Sequence, residues 1–214
     1  MNVGIALLAV SLVQGFVAQV FQVPSQSMRN TLNPSDRILA NRLAYIGANP
    51  ARGDIVVFGH GDTWDAERRS PAPDFLRAAA RAFGDVTGIG PSNTMHTVKR
   101  VIGVGGDTVQ CCDSQGSVVV NGKSQAEPYL GSNFPFTPGT QDCTTASRSG
   151  RCFGPIVVPA ETLLLMGDNR VDSADSVIGC RSAASNPATC ARLVPVSRVV
   201  GKVGLRLWPP GLVG

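Results

Sequence analysis

The stretch His96–Gln110, HTVKRVIGVGGDTVQ, is dense in β-branched residues, which pack well on a pleated surface, and it reads as strand. Five more runs read the same way: RILANRLAYI (37–46), GDIVVFG (53–59), SVVVNGKSQ (117–125), GPIVVPAETLLLMG (154–167) and SRVVGKVGLRLW (197–208). Turn residues separate them. Asn121-Gly122, after three valines, is a strong two-residue hairpin signal. The expected fold class is therefore mainly β: a mostly antiparallel β domain over 23–214. Only PDFLRAAARAFGDV (73–86) has helical spacing, and it lies in a Gly- and Pro-punctuated excursion, so a small inserted lobe with one helix is expected at about 59–95. A second loop, 131–154, is rich in Ser, Thr and Gly.

Upstream, VGIALLAVSLVQGFVAQVFQV (3–23) carries no charge. At about 1.5 Å per residue, some twenty residues cross a hydrocarbon core of about 30 Å, so residues 1–22 are expected to form an N-terminal transmembrane helix. A cleaved secretory leader is the competing reading. It is disfavoured by the length of the run, the lack of a preceding Lys or Arg, and the Gln-Val-Pro ending in place of small residues. Arg29, Arg37 and Arg42 after the run would place the following domain in the cytoplasm under the positive-inside rule. The six cysteines argue the other way: none makes a Cys-x-x-Cys, and an even count with pairs bracketing polar loops (143 to 152, 180 to 190) suits disulfides formed outside the cytoplasm. Their connectivity stays open, since six cysteines allow 15 pairings.

A hydrophobic fraction of 43% over 214 residues provides for a sizeable core. The net charge of +4 is mild and its basic residues are scattered, which leaves nucleic-acid binding unsupported. There is no Gly-x-Ser-x-Gly elbow, no His-Glu-x-x-His and no P-loop. His60 and His96 sit beside Gly-rich or polar positions, where a solvated imidazole is the common case. A serine can be activated without histidine if a lysine is held neutral near it, which requires burial to bring the amine down from about 10.4. Of the three lysines, Lys123 follows the Asn-Gly turn and Lys202 has a solvent-facing strand context. Lys99 lies among Val98, Val101 and Ile102, on the strand face of Thr97 and Val101, opposite Arg100.

PSQSM (24–28) followed by NTL (30–32), GDIVVF (53–58), VKRVIGVGGDTV (98–109) and GDNRVDSADS (167–176), in that order, resemble the bacterial type I signal peptidases over nearly the whole chain. The resemblance implies a membrane-bound serine endopeptidase that removes signal peptides from secretory precursors through an acyl-enzyme, at the outer side of the plasma membrane, with a single-pass anchor and no metal or organic cofactor. It makes Ser27 the nucleophile, Lys99 the general base, and Ser25 the hydroxyl that joins the Ser27 backbone N–H in the oxyanion hole. Ser173 would orient the Lys99 amine, and Asp168, Arg170 and Asp175 would form a charged scaffold behind it, with Arg100 structural. Val23, Pro24, Met28, Leu32 and Val98 would line shallow pockets for an extended substrate, and the partners of the chain would be secretory precursors and the lipid bilayer. Two departures stand out: Val177 follows Ser176 where the family commonly has Arg, and Asn30 replaces a Pro, which leaves the turn after Met28 less constrained. Two other readings compete: a disulfide-stapled binding module with inert serines, and a self-cleaving repressor-type Ser/Lys protease. The second is disfavoured by the apolar N-terminus and by the lack of a DNA-binding segment.

Overall fold

Antiparallel pairing of the β-like runs builds two sheets in the computed structural model of the chain, which describes residues 12–60, 64, 96–181, 186 and 189–213. The strands are β1 (Ala18–Gln22), β2 (Arg37–Asn41), β3 (Ile55–Gly59), β4 (His96–Val104), β5 (Thr108–Cys111), β6 (Val118–Val120), β7 (Lys123–Ser124), β8 (Phe153–Val157), β9 (Thr162–Met166), β10 (Val194–Pro195), β11 (Val199–Trp208) and β12 (Gly211–Leu212). The larger sheet has the order β1-β2-β11-β3-β4-β9-β10, with β12 on β11, and the smaller has the order β7-β6-β5-β8.

The expected β class holds, and the Asn121-Gly122 hairpin forms between β6 and β7 with both residues at positive φ (51° and 76°), as a tight two-residue turn requires. The 131–154 loop gives up its last residues to β8. The helix expected at 73–86, with nearly all of the 59–95 insertion, lies outside the described residues; of that segment Gly59 still belongs to β3, and Trp64 packs edge-on to Phe58 at 5.0 Å.

The expected N-terminal helix needs correction at its C-terminal end. Val13–Val17 forms a short π-helical turn, and Ala18–Gln22 is a strand paired residue for residue with β2, from Ala18↔Asn41 to Gln22↔Arg37. The ladder satisfies these backbone groups in the sheet, and the Gln19 amide oxygen accepts from Arg42 at 2.8 Å, so this part of the apolar run is built into the domain. Among the described residues no helix is long and apolar enough to cross a membrane, and residues 1–11 lie outside them.

Three apolar clusters carry the fold. β3 is buried along its whole length and shows the period of two: Ile55 and Val57 join Val23, Met28, Leu32, Ile38, Ala40, Val98 and Val203, whereas Val56 and Phe58 join Val101, Leu163, Leu165 and Val194. The third cluster, with Val109, Phe153, Ile156 and Leu164, joins the two sheets. Cysteine sulfurs are bonded as Cys111–Cys112, Cys143–Cys152 and Cys180–Cys190, so the two loop-bracketing pairs close on themselves. Lys123 is exposed, and Lys202 is half-exposed with its amine 2.6 Å from Asp54.

Candidate active site

Ser27 sits in a single 3-10 turn, Gln26–Met28, entered through Ser25 in an extended conformation. The turn is held from both ends. Leu32 N–H donates to Met28 O at 2.8 Å, while Met28 and Leu32 sink into the apolar cluster at 1% and 0% exposure. Across the chain, Asn169 N–H donates to Ser27 O at 3.0 Å and its side-chain amide donates to Gln26 O at 3.1 Å. Gly167 lets these segments approach: a Cβ there would overlap both Ser27 O and Ser173 Oγ.

Lys99 comes from the middle of β4, paired to Val56 of β3. Its amine lies 2.5 Å from Ser27 Oγ, and Ser25 Oγ lies 3.2 Å from the same oxygen. Both members of the pair are buried, Lys99 at 2% exposure and Ser27 at 5%. Burial pushes the Lys99 amine down from 10.5 to about 8; Asp175 and Asp168 pull against that shift without cancelling it. Burial thus brings the amine's titration near pH 8, so that a usable fraction is neutral there and can accept the serine proton.

The charged frame is wired differently from the expected Asp168–Arg170–Asp175 scaffold. Asp168 is forked by Arg100 (Nε to Oδ1 at 2.9 Å, Nη2 to Oδ2 at 2.8 Å) and accepts from Thr31 Oγ1 at 2.5 Å, with Arg100 stacked 3.9 Å over the Tyr129 ring. Arg170 pairs with Glu127 and donates to Gly167 O at 3.1 Å. Asp175 pairs at 3.0 Å with Arg181, four residues beyond Val177. Burial pushes the Asp175 carboxyl up, against the opposing pull of Arg181, Arg170 and Lys99.

Ser173 departs from expectation. Its hydroxyl is buried against the Gly167 backbone with no hydrogen-bond partner among the described residues, so the bond that was to orient Lys99 is not made. Asn30 also differs. It takes φ 94°, which a proline cannot adopt, and its amide donates to Tyr129 O at 2.9 Å, so the turn that was expected to be less constrained without a proline is tethered by a side chain. Of the expected pocket residues, Pro24 is exposed, whereas Val23, Val98, Met28 and Leu32 are all buried in one apolar cluster. His60 and His96 are both half-buried; the His96 ring packs against Phe21 at 5.0 Å, and His60 meets the Thr97 hydroxyl.

Arg100 fills the structural role expected of it, whereas Glu127, Asn169 and Arg181 join the frame without having been singled out for it. Asn169 stood inside the quoted GDNR run, and Arg100 beside Lys99, but a sequence holds no signal for which carboxylate an arginine will meet across the fold. No metal set is open among the described residues: the sulfurs of Cys112, Cys143 and Cys152 lie within 4.8 Å of one another, but each is in a disulfide.

A serine hydroxyl bonded to a buried amine on a β scaffold has the chemistry of a serine peptidase that dispenses with histidine. Residues 1–208 match the family described as signal peptidase, peptidase S26. A probable signal peptidase I of Mycobacterium leprae is 38% identical, covering 93% of this chain and 71% of its own, and signal peptidase I of Mycobacterium tuberculosis is 36% identical over 93% and 68%. Signal peptidase I T of Bacillus subtilis is 32% identical over 92% and 80%. The chain belongs to the signal peptidase family, and is a serine peptidase.

Proposed function

We propose that the chain removes N-terminal signal peptides from secretory precursors by a Ser27/Lys99 dyad, working from a single-pass anchor with the catalytic domain on the outer side of the plasma membrane. The observation that carries the chemistry is the 2.5 Å contact between the Lys99 amine and Ser27 Oγ, with burial holding the amine at about 8. Neutral Lys99 takes the Ser27 proton as Oγ attacks the scissile carbonyl; the ammonium then protonates the departing amine, and the C–N bond breaks to leave the acyl-enzyme. Water, deprotonated by the same amine, attacks the acyl carbon; the C–Oγ bond breaks, Ser27 Oγ takes the proton back from the Lys99 ammonium, and the signal peptide leaves with a free carboxylate. Ser25 Oγ, beside the nucleophile, turns to donate to the oxyanion together with the Ser27 N–H.

Substrate binding by strand addition is supported by the open edge of β4. β9 pairs with β4 only from Arg100 onward, so Thr97–Lys99 has β3 on one side and no paired strand on the other among the described residues. The end of β1 comes alongside through the Phe21–His96 ring contact. An extended signal peptide fits between Gln22–Ser25 and Thr97–Lys99, with Val23, Pro24 and Val98 as pocket walls and Met28 and Leu32 as the floor beneath. The uncharged residues that precede β1 support the anchor, and the three disulfides support an oxidising compartment.

The test is cleavage of a secretory precursor by the purified full chain in detergent, read as a shortened product on a gel. Ser27→Ala must abolish it; cutting by that variant at the parent rate would overturn the dyad. Ser25→Ala is expected to lower kcat by about 10²- to 10³-fold with KM little changed, as for loss of one oxyanion donor. In a pH series, kcat/KM is expected to climb about tenfold per pH unit up to about 8, where the amine loses its proton, and then to level. A profile flat from acid to alkali would exclude a lysine base.

A further inference from the structure

Beside the nucleophile turn lies a cavity of about 410 Å³ lined by Arg29, Asn30, Asn33, Gly131, Ser132 and Asn169, within the ~300–1,000 Å³ range of ligand sites. Its walls are tied to the site at several points. Asn30 is bonded to Tyr129 O, Gly131 N–H donates to Asp168 O at 3.0 Å, and Arg170 N–H donates to Ser132 O at 2.8 Å. Asn169 reaches both Gln26 O and Ser27 O, so the cavity wall is one hydrogen bond from the nucleophile's own backbone. Every lining side chain is polar, and Arg29 is the one ionisable group among them. Arg29 is exposed, donates only to the neutral Gln26 amide at 3.2 Å, and has no carboxylate within ion-pair distance among the described residues.

The cavity also lies on a definite side of the reaction. On the peptidase reading, the residues before Ser27 and the open edge of β4 take the signal-peptide side of an extended substrate, so the chain beyond the scissile bond leaves over the residues that follow Ser27, of which Arg29, Asn30 and Asn33 line this cavity. Resting on the peptidase reading above, we infer that this cavity receives the first residues of the mature protein, and that Arg29 selects acidic over basic side chains there. An incoming Asp or Glu supplies the carboxylate that Arg29 lacks, whereas Lys or Arg meets an uncompensated like charge.

The experiment uses the full chain in detergent with peptides identical up to the cut and carrying Asp, Asn or Lys at each of the first few positions after it. For the parent enzyme kcat/KM should favour Asp over Lys at one of these positions by about three- to tenfold at low salt, with Asn between, and the ratio should shrink as salt rises. Arg29→Glu should invert the order and Arg29→Gln should flatten it. The salt series on the parent enzyme reads the same effect should either variant fail to fold. Cutting of all three peptides with one ratio, unaltered by salt or by either variant, overturns the assignment of Arg29 and leaves the peptidase reading standing. If the folded parent does not cut even the Asn peptide, that reading falls and this inference with it.

Discussion

Lys99→Met is expected to lose activity and gain stability together. Without the amine, Ser27 keeps only the Ser25 hydroxyl, which is no base, at bonding distance, and kcat/KM should fall by about 10²- to 10⁴-fold, the range supplied by a positioned general base. Stability should move the other way. The amine's pKa is lowered from 10.5 to about 8 on folding, so below pH 8 it is charged in both states and the folded state bears the cost of burying that charge. Between about 8 and 10.5 the unfolded chain binds more protons than the folded one, so the parent recovers stability as pH rises through this window. Methionine has a similar length and no charge to bury, so its gain in Tm should be largest below pH 8 and should shrink above it. Thermal unfolding at pH 6.5 and pH 10, beside precursor cleavage, checks both halves. A residue kept only for packing would give the opposite pattern, with Tm falling in step with activity, and that result would remove Lys99 from the reaction.

Asp168→Ala is expected to cost about 3–5 kcal/mol, because it strips the fork from an Arg100 guanidinium that remains buried. For a chain of this size that corresponds to a fall in Tm on the order of 10 °C. Lys202→Ala, which breaks the half-exposed pair with Asp54, should cost no more than about 1 kcal/mol. Replacing both partners, Arg100→Met with Asp168→Leu, should recover most of the loss, since no unpaired charge then stays inside. Circular dichroism melts of the four proteins decide it. Equal losses for Asp168→Ala and Lys202→Ala would mean that the buried fork does not support the site. The Asp168 carboxylate also accepts from the Thr31 hydroxyl, just past the proposed nucleophile, so the single variant should loosen that turn as well and lower activity beyond the fraction unfolded.

The contrast between these two variants marks how much could be read in advance. The β class, the Asn121-Gly122 hairpin and the approximate strand runs follow from local chemistry: β-branched density, a period of two, and the tolerance of Asn and Gly for positive φ. The identity of Ser27 and Lys99 as a pair came from a resemblance carried by four motifs in order; the sole local cue was a lysine flanked by valines and an isoleucine. The helical reading of 18–22 failed because an apolar run is equally fit to complete a sheet once a partner strand is offered, and β2 offers one at every residue.

Pairing across the chain was decided by the tertiary structure alone. Arg100 meets Asp168 over a separation of 68 residues, Arg170 meets Glu127 over 43, and Lys99 meets Ser27 over 72. Composition and spacing state which charges exist, and the packing of β3, β4 and β9 around a buried interior determines which of them can find each other. The depressed amine of Lys99 belongs to the same category. Lysine chemistry is written in the residue, but its availability for the proposed role as base arises from the burial that folding imposes on it.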